Sequence, residues 1–303
     1  MLRAGIGLFC FLWAGATFAE TLATVEIAPG IHVHQGVHGE ANAANEDAIA
    51  NVGFIVGEAA VMVIDPGGSL LEGESLRAAI RAVTSLPIRY VVLTHVHPDH
   101  IFGAAAFDQD HPEFIGHAKL PGALAQRGDY YTRTLRRALG DAAAGSAVVT
   151  PTRLVEGRTR IDLGDRPVEI VAHGPAHTDN DLSLFDAKTG TLWLGDLLFV
   201  DRIPVIDGSI VGWLRELEAL KRIPAARAVP GHGPVSVDWP RAAEPEERYL
   251  RSVLDGTRAA IKANVDIGAA WRQVAMEERE RWLLFDAYHP RNVTAAYKEL
   301  EWE

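Results

Sequence analysis

Cysteine is almost absent from this sequence: among its 303 residues the single cysteine is Cys10. Cys10 lies in an uncharged run, residues 4–19, that follows Arg3 and ends in small residues before Glu20, which is the pattern of a cleaved signal peptide. The run is shorter than the roughly 20 residues that span a bilayer, although an uncleaved membrane anchor is the alternative interpretation. We therefore expect residues 1–19 to be a signal peptide and the mature protein to be periplasmic, with no stable membrane anchor and no disulfide in its core.

Positive charge is also scarce in this sequence. The chain has 29 Lys and Arg residues against 40 Asp and Glu residues, which gives a formal net charge of −11 at pH 7. Because an acidic protein repels phosphate backbones, we do not expect a nucleic-acid partner. Hydrophobic residues make up 48% of the chain, and its length suits one large α/β domain or two small ones.

Strand-like and helix-like segments alternate twice along the chain, with a looser stretch around residues 140–151 between the two rounds. This alternation predicts an α/β fold with layered sheets and helices. The predicted strands are residues 24–27, 31–34, 52–56, 61–64, 89–94, 113–116, 168–172, 182–185, 191–194 and 226–229. The predicted helices are residues 70–83, 103–107, 120–139 and 210–221, and the chain after residue 240 is charged and mostly helical.

Three histidines and one carboxylate fall within six positions directly after the predicted buried strand at residues 89–94. They are His95, His97, Asp99 and His100. Imidazole and carboxylate donors without a thiolate suit zinc. On a tight loop the first two side chains can point one way and the last two the other, so that one loop supplies two adjacent metal ions. The alternative is a polar loop with capping residues.

Three further metal-binding candidates follow later strands. His177, Asp196 and His232 each have a glycine nearby and each lies at the carboxyl end of a predicted strand. Any one of them alone is a common type of turn residue. Because active sites of α/β proteins are built at the carboxyl edge of a sheet, the three together predict a site at that edge.

This combination of a His-x-His-x-Asp-His motif, a distant histidine, an aspartate after glycine and a Gly-His-Gly motif resembles the metallo-β-lactamase superfamily. The resemblance runs from about residue 25 to residue 235 and includes the strand and turn at residues 63–67. It implies a four-layer αββα sandwich with C-terminal helices. We expect residues 20–240 to form the metallo-β-lactamase-like domain and residues 241–303 a C-terminal helical extension packed on that domain.

The resemblance also implies two Zn²⁺ ions per chain and assigns a metal-binding role to seven residues. His95, His97 and His177 would hold one ion, Asp99, His100 and His232 the other, and Asp196 would bridge the two. A hydroxide bridging two such cations forms near neutral pH and attacks a carbonyl group. Asp99 would also be catalytic, accepting a proton from the nucleophile. Asp65 is a candidate to support the ligating histidines, although a turn residue before Pro66 is the simpler interpretation.

Departures from the family pattern narrow the choice among the branches of the superfamily. Cysteine-using di-zinc β-lactamases have a cysteine where this chain has Asp196, and the histidine-only enzymes lack the bridging aspartate. Di-iron relatives have a glutamate in place of His97. The pattern therefore resembles hydrolases of the glyoxalase II and lactonase type, although the sequence at residues 101–103 lacks the Gly-Gly usual in glyoxalase II.

A finer resemblance is to exported metallohydrolases that are associated with sulfur oxidation and quinoprotein relay systems. The stretches that carry it are residues 33–40, 51–57, 174–181 and 196–204. We expect a periplasmic di-zinc hydrolase that cleaves a thioester, lactone or amide of a small molecule, in association with a periplasmic redox system. The alternatives are a mononuclear iron enzyme like the persulfide dioxygenases, a β-lactam hydrolase, and a metal-binding partner without activity. The complete second donor set favours the hydrolase over the mononuclear iron enzyme.

Overall fold

The computed structural model describes residues 21–303, and the expected signal peptide lies outside the described residues. Two sheets face each other. The first contains seven strands in chain order: β1 Val25–Ala28, β2 Ile31–His34, β3 Val52–Val56, β4 Val61–Ile64, β5 Ile88–Leu93, β6 Glu113–His117 and β7 Arg153–Val155. Its strands are antiparallel from β1 to β4 and parallel from β4 to β7.

The second sheet contains six strands: β8 Arg158–Asp162, β9 Pro167–Ala172, β10 Leu182–Asp186, β11 Thr191–Phe199, β12 Arg227–His232 and β13 Val237–Asp238. Their spatial order in the sheet is β13-β12-β11-β10-β9-β8. Only the pair β11 and β12 is parallel in this sheet. Buried side chains of both sheets, among them Met62, Val92, Leu184 and Trp193, form the core between them.

Helices cover the outer faces of both sheets. They are α1 Leu70–Val83, α2 Pro98–Ile101, α3 Leu120–Leu139, α4 Ile210–Leu220, α5 Glu244–Lys262, α6 Ile267–Ala270 and α7 Phe285–Leu300, with 3-10 turns at Ala104–Asp110, Gly140–Ala143, Arg241–Ala243 and Met276–Arg281. The apolar sides of α1 and α3 pack on the first sheet, and those of α4, α5 and α7 share a core with the second. The predicted four-layer αββα sandwich is confirmed.

Local sequence explains where several of these elements begin. Ser69 and Ser209 cap α1 and α4, because each side chain accepts a hydrogen bond from a backbone N–H in the first turn. Pro98 begins α2, since proline lacks the N–H group that a first helical turn leaves unpaired. The predicted loop at residues 95–100 therefore contains a short helix that the sequence analysis missed.

Two differences from the predicted strands bear on the site. β11 is longer than predicted and continues through Asp196 to Phe199, because Gly195, with a φ of +50°, permits a break in register with β12 at this point. The short strands β7, β8 and β13 were not predicted. Charged residues dominate β8, of which only Ile161 is buried, so its apolar alternation is weak.

The C-terminal helices share contacts with the rest of the described chain. α5 packs against both α4 and α7, and side chains from all three helices belong to the same buried core as residues of β11. The domain boundary at residue 240 stays a prediction. Among residues 21–303, no helix combines the length and the apolar composition needed to cross a membrane.

Candidate metal centre

The structure brings all seven predicted metal-binding side chains together at one edge of the two sheets. His95 and His97 follow β5, and Asp99 and His100 lie in α2. The remaining three come from the second sheet: His177 from the β9–β10 loop, Asp196 from β11 and His232 from the end of β12. Because both sheets present the ends of these strands to the same edge, residues more than 130 positions apart in the chain become neighbours.

Four of the side chains form the first group, in which the donor atoms of His95, His97, His177 and Asp196 all lie within 4.8 Å of one another. Nδ1 of His97 is 3.1 Å from Nε2 of His95 and 2.9 Å from Nε2 of His177. Oδ2 of Asp196 is 3.3 Å from Nε2 of His177. Three imidazole nitrogens and one carboxylate oxygen thus converge on one point.

The other three side chains, Asp99, His100 and His232, form a second group with the same 4.8 Å limit between donor atoms. Oδ2 of Asp99 is 3.4 Å from Nε2 of His232 and 3.8 Å from Nε2 of His100. Oδ1 of Asp196 is 3.1 Å from Nε2 of His100 and 3.5 Å from Nε2 of His232. The two oxygens of Asp196 therefore face different groups, which is the placement that a bridging ligand needs.

The nitrogens of the five histidines that point away from the centre all have hydrogen-bond partners. In three of them Nδ1 donates to an oxygen: His177 to the carbonyl of Val205 at 2.7 Å, His232 to that of Ile49 at 2.8 Å, and His100 to the Asp65 carboxylate at 2.8 Å. The two remaining contacts join Nδ1 of His95 to Thr94 Oγ1 at 3.0 Å and Nε2 of His97 to Asp207 Oδ2 at 3.1 Å. With the proton fixed on the outer nitrogen, a neutral imidazole presents a lone pair to the centre, as metal-binding histidines do.

Asp65 supports both groups through one carboxylate. Oδ1 of Asp65 accepts a hydrogen bond from the Thr94 backbone N–H, and Oδ2 accepts from both Thr94 Oγ1 and His100 Nδ1, each at 2.8 Å. Since the Thr94 hydroxyl donates to Asp65, it accepts from Nδ1 of His95. Asp65 has a φ of +53° and is also a turn residue, so both interpretations drawn from the sequence describe part of its role.

Burial and charge set the protonation of the centre. Burial lowers the pKa of His95 well below 6.5 and that of His177 to about 4, so both are neutral at pH 7. Burial also acts to lower the pKa of His100, but the nearby carboxylates of Asp196 and Asp65 outweigh it and raise that pKa. Burial opposes ionisation of Asp196, yet His232 and His100 hold its pKa well below 3.8. The centre thus combines ionised carboxylates with imidazoles, a donor set that a cation completes.

The fit to metal ions rests on atoms that have no other partner. Nε2 of His100 and Oδ1 of Asp196 are buried and lie 3.1 Å apart, but neither makes a hydrogen bond of acceptable geometry within the described residues. In the first group, the inward lone pairs of His95, His97 and His177 approach within about 3 Å and repel one another unless a proton or a cation lies between them. Two nitrogens bound to one tetrahedral zinc ion are separated by roughly 3.3 Å, which is close to the spacing observed. The residues present therefore fit a metal ion at each group.

A cleft of about 590 Å³ opens over the centre. Its floor includes His97, Asp99, Asp196 and His232. Helix α3 supplies one wall and α7 another, and the side chains that face the cleft from these two helices include Arg127, Tyr130, Tyr131, Tyr288 and Arg291. This size and this mixture of aromatic and charged side chains suit a small-molecule substrate.

Tyr130, Tyr131 and Arg202 line the cleft. Two residues beside the centre, Arg127 and Asp207, were not predicted from the sequence. Arg127 forms an ion pair with the Asp207 carboxylate, which in turn contacts His97. Burial opposes ionisation of Asp207, but its bonds to His97 and Arg127 hold its pKa below 3.8. No local motif marks this pair, because the two residues are brought together only by the packing of α3 over the site.

Comparison with known protein families agrees with this arrangement. The model of the family described as "Metallo-beta-lactamase superfamily" matches residues 46–232, which is more than half of the chain. The chain belongs to the metallo-beta-lactamase superfamily. Membership supports the expectation of a metal-dependent hydrolase, because the matched residues include all seven donor side chains.

Individual members of the superfamily are distant relatives of this chain. The Beta-lactamase-like protein 2 homolog of Caenorhabditis elegans is 25% identical over 202 residues, a match that covers 66% of this chain and 60% of the relative. This chain therefore spans less than two thirds of the length of that relative.

Two solved structures show the same fold. A metallo-beta-lactamase from Pontibacter korlensis has a TM-score of 0.61 at 19% identity, covering 76% of this chain and 99% of that one. The stereoselective inverting sec-alkylsulfatase Pisa1 from Pseudomonas sp. has a TM-score of 0.70 at 16% identity, covering 92% of this chain and 50% of that one. The second match extends over most of the described residues, beyond the 76% covered by the first.

Proposed function

We propose that this member of the superfamily holds two zinc ions and hydrolyses a thioester, lactone or amide bond in a small molecule. His95, His97 and His177 would hold one ion, Asp99, His100 and His232 the other, and Asp196 would lie between them. The observation that carries the proposal is the set of inward histidine nitrogens about 3 Å apart, each with its outer nitrogen engaged elsewhere.

When bound, two such ions supply a hydroxide nucleophile near neutral pH and polarise the carbonyl group of the substrate. Side chains of the protein would accept the released proton and contact the substrate. The Asp99 carboxylate borders the cleft and would accept the proton that the nucleophile releases. Tyr130 and Tyr131 offer apolar ring surface for the substrate. The buried Arg202 lines the same cleft and donates a hydrogen bond to the Tyr288 hydroxyl at 3.1 Å.

The cellular location and the subfamily are proposed from the sequence alone. The pattern of residues 3–19 supports export to the periplasm, and the stretches at 33–40 and 174–181 support kinship with the sulfur-oxidation and quinoprotein-relay metallohydrolases. We propose an association with a periplasmic redox system on the same ground. Because the fold is similar to that of the metallo-beta-lactamase from Pontibacter korlensis, a β-lactam is the second substrate class to test.

Metal analysis of the purified mature protein tests the proposal directly. We expect about two zinc ions per chain. A single tightly held iron ion per chain would instead support the dioxygenase-like alternative and end the hydrolase proposal. With zinc present, rates on a thioester, a lactone and nitrocefin separate the substrate classes. We expect weak or no turnover of nitrocefin, and a dominant β-lactam rate would favour the β-lactam hydrolase.

A further inference from the structure

The segment from Pro204 to Asp207 is held on two sides. On one side it meets the candidate metal ligand His177: the Val205 carbonyl accepts from Nδ1 of His177 at 2.7 Å, and the Asp207 N–H donates to the His177 carbonyl at 3.0 Å. On the other side it meets Asn292 of α7. The Asn292 Oδ1 accepts from the Ile206 N–H at 3.0 Å, and Nδ2 donates to the Pro204 carbonyl at 2.6 Å.

This pattern follows the alternation of an extended chain. Backbone groups of residues i and i+2 point to one side of such a segment, and those of i+1 and i+3 to the other. One side-chain amide thus pairs with Pro204 and Ile206 as a neighbouring strand would, and this pairing turns the Val205 carbonyl towards His177. Asn292 therefore fixes the direction of the acceptor that orients the His177 ring.

The amide of Asn292 is itself held in one orientation. Nδ2 of Asn292 also donates to the Tyr249 hydroxyl at 2.9 Å. That hydroxyl lies 3.1 Å from Nδ1 of His289, whose Nε2 donates to the Val274 carbonyl at 2.9 Å. Asn292 is fully buried, and both hydrogens of its amide and its oxygen are paired. Because a flipped amide would place NH₂ against the Ile206 N–H and oxygen against the Pro204 carbonyl, only one orientation satisfies these groups.

We propose that Asn292 is a positioning residue for His177, which links the C-terminal helix α7 to the metal centre through the backbone of residues 204–206. The relevance of this link to catalysis rests on the proposed function, but the link itself is a property of the metal-free protein. Through this link the C-terminal helix α7 would help to orient His177 in addition to lining the cleft.

The test uses the full mature chain with Asn292→Ala and, as a matched control on the same helix, Thr294→Ala. Within residues 21–303 the Thr294 hydroxyl bonds only to the Pro290 carbonyl one turn earlier. Nitrogen-15 NMR of the metal-free protein reports which nitrogen of His177 carries the proton. We expect the Nδ1–H tautomer in the wild type and in Thr294→Ala, and a mixture of tautomers in Asn292→Ala. Chelator competition then measures zinc affinity, which we expect to fall about 10- to 100-fold in Asn292→Ala alone.

A folded Asn292→Ala protein with the wild-type tautomer and the wild-type zinc affinity would overturn the proposal. If Asn292→Ala does not fold, Asn292→Asp serves instead, because it keeps the size and the acceptor but loses the donor to the Pro204 carbonyl. The same shift in tautomer is expected for this variant, and its absence would equally contradict the proposal. If wild-type protein binds no zinc, the proposed function fails, while the tautomer measurement still decides the role of Asn292.

Discussion

The Asp65 carboxylate accepts a 2.8 Å hydrogen bond from Nδ1 of His100, and both side chains are fully buried. The same carboxylate reaches His95 through the Thr94 hydroxyl. One residue that is not itself a candidate ligand therefore orients one histidine of each donor group. Supporting residues of this kind fix the tautomer and the ring orientation of the histidines that bind a metal.

Replacement of Asp65 by asparagine tests this support. Asparagine keeps the size of the side chain but exchanges one of the two acceptor oxygens for an NH₂ group, so either Thr94 or His100 loses its acceptor. We expect zinc affinity to fall about 10- to 100-fold, measured by competition with a chelator. Asp238→Asn, at an exposed position in strand β13, is the control and should bind zinc as the wild type does. Equal zinc affinity in both variants would show that Asp65 acts only as a turn residue.

A pair of glycine substitutions tests the close packing around Asp196. A Cβ atom at Gly231 would lie 1.9 Å from Oδ1 of Asp196, whereas one at Gly122 in α3 would meet nothing within 4 Å. We expect Gly231→Ala to bind less than two zinc ions per chain, because the new methyl group displaces the carboxylate. Gly122→Ala should keep both ions and gain about 0.5–1 kcal/mol of unfolding free energy, since alanine favours the helix.

Zinc stoichiometry gives the metal content of both variants, and chemical denaturation gives their unfolding free energies. Full zinc content in Gly231→Ala would mean that the position of Asp196 between the two groups is not required.

The ion-pair cluster of Asp110 with Arg77 and Arg81 predicts a pH-dependent contribution to stability far from the centre. Burial acts to raise the pKa of Asp110, but its hydrogen bonds to Arg77, at 2.6 Å, and to Arg81 lower it below 3.8. A carboxyl whose pKa is lower in the folded state stabilises the fold above its unfolded pKa, and this contribution is lost as the pH falls through the folded value.

We therefore expect Asp110→Asn to reduce the unfolding free energy by about 1–2 kcal/mol at pH 7. The difference from the wild type should shrink once the pH drops below 3.8, the ordinary aspartate value. Denaturant titrations along a pH series measure it. A difference that stays constant into strong acid would mean that packing, rather than the ionised carboxylate, accounts for the loss.

The local part of the centre was predictable from the sequence. His95, His97, Asp99 and His100 are close in the chain, so their density after a buried strand indicated the site without any knowledge of the fold. Asp196 was found through its glycine neighbour and the family pattern. The predicted strand ended five residues too early, at residue 194 instead of Phe199, because a register break inside a strand leaves no periodic signal.

The walls and supports of the site were not predictable in this way. Arg127 and Asp207 are 80 positions apart, and Asn292 lies 88 positions beyond Pro204, so their contacts depend on how α3 and α7 pack. The sequence of an amphipathic helix does not show whether an asparagine is buried and hydrogen-bonded to a neighbouring backbone segment or lies at the surface. These contacts arise from tertiary packing, which hydrophobic periodicity does not encode.

We propose that Asp196 lies between two metal ions, and anomalous diffraction at the zinc edge from crystals of the zinc-loaded protein can locate them. We expect two zinc peaks about 3.5–4 Å apart, one within the His95, His97 and His177 group and one within the Asp99, His100 and His232 group, with a carboxylate oxygen of Asp196 at each. A single peak, or two peaks with Asp196 bound to neither, would contradict it.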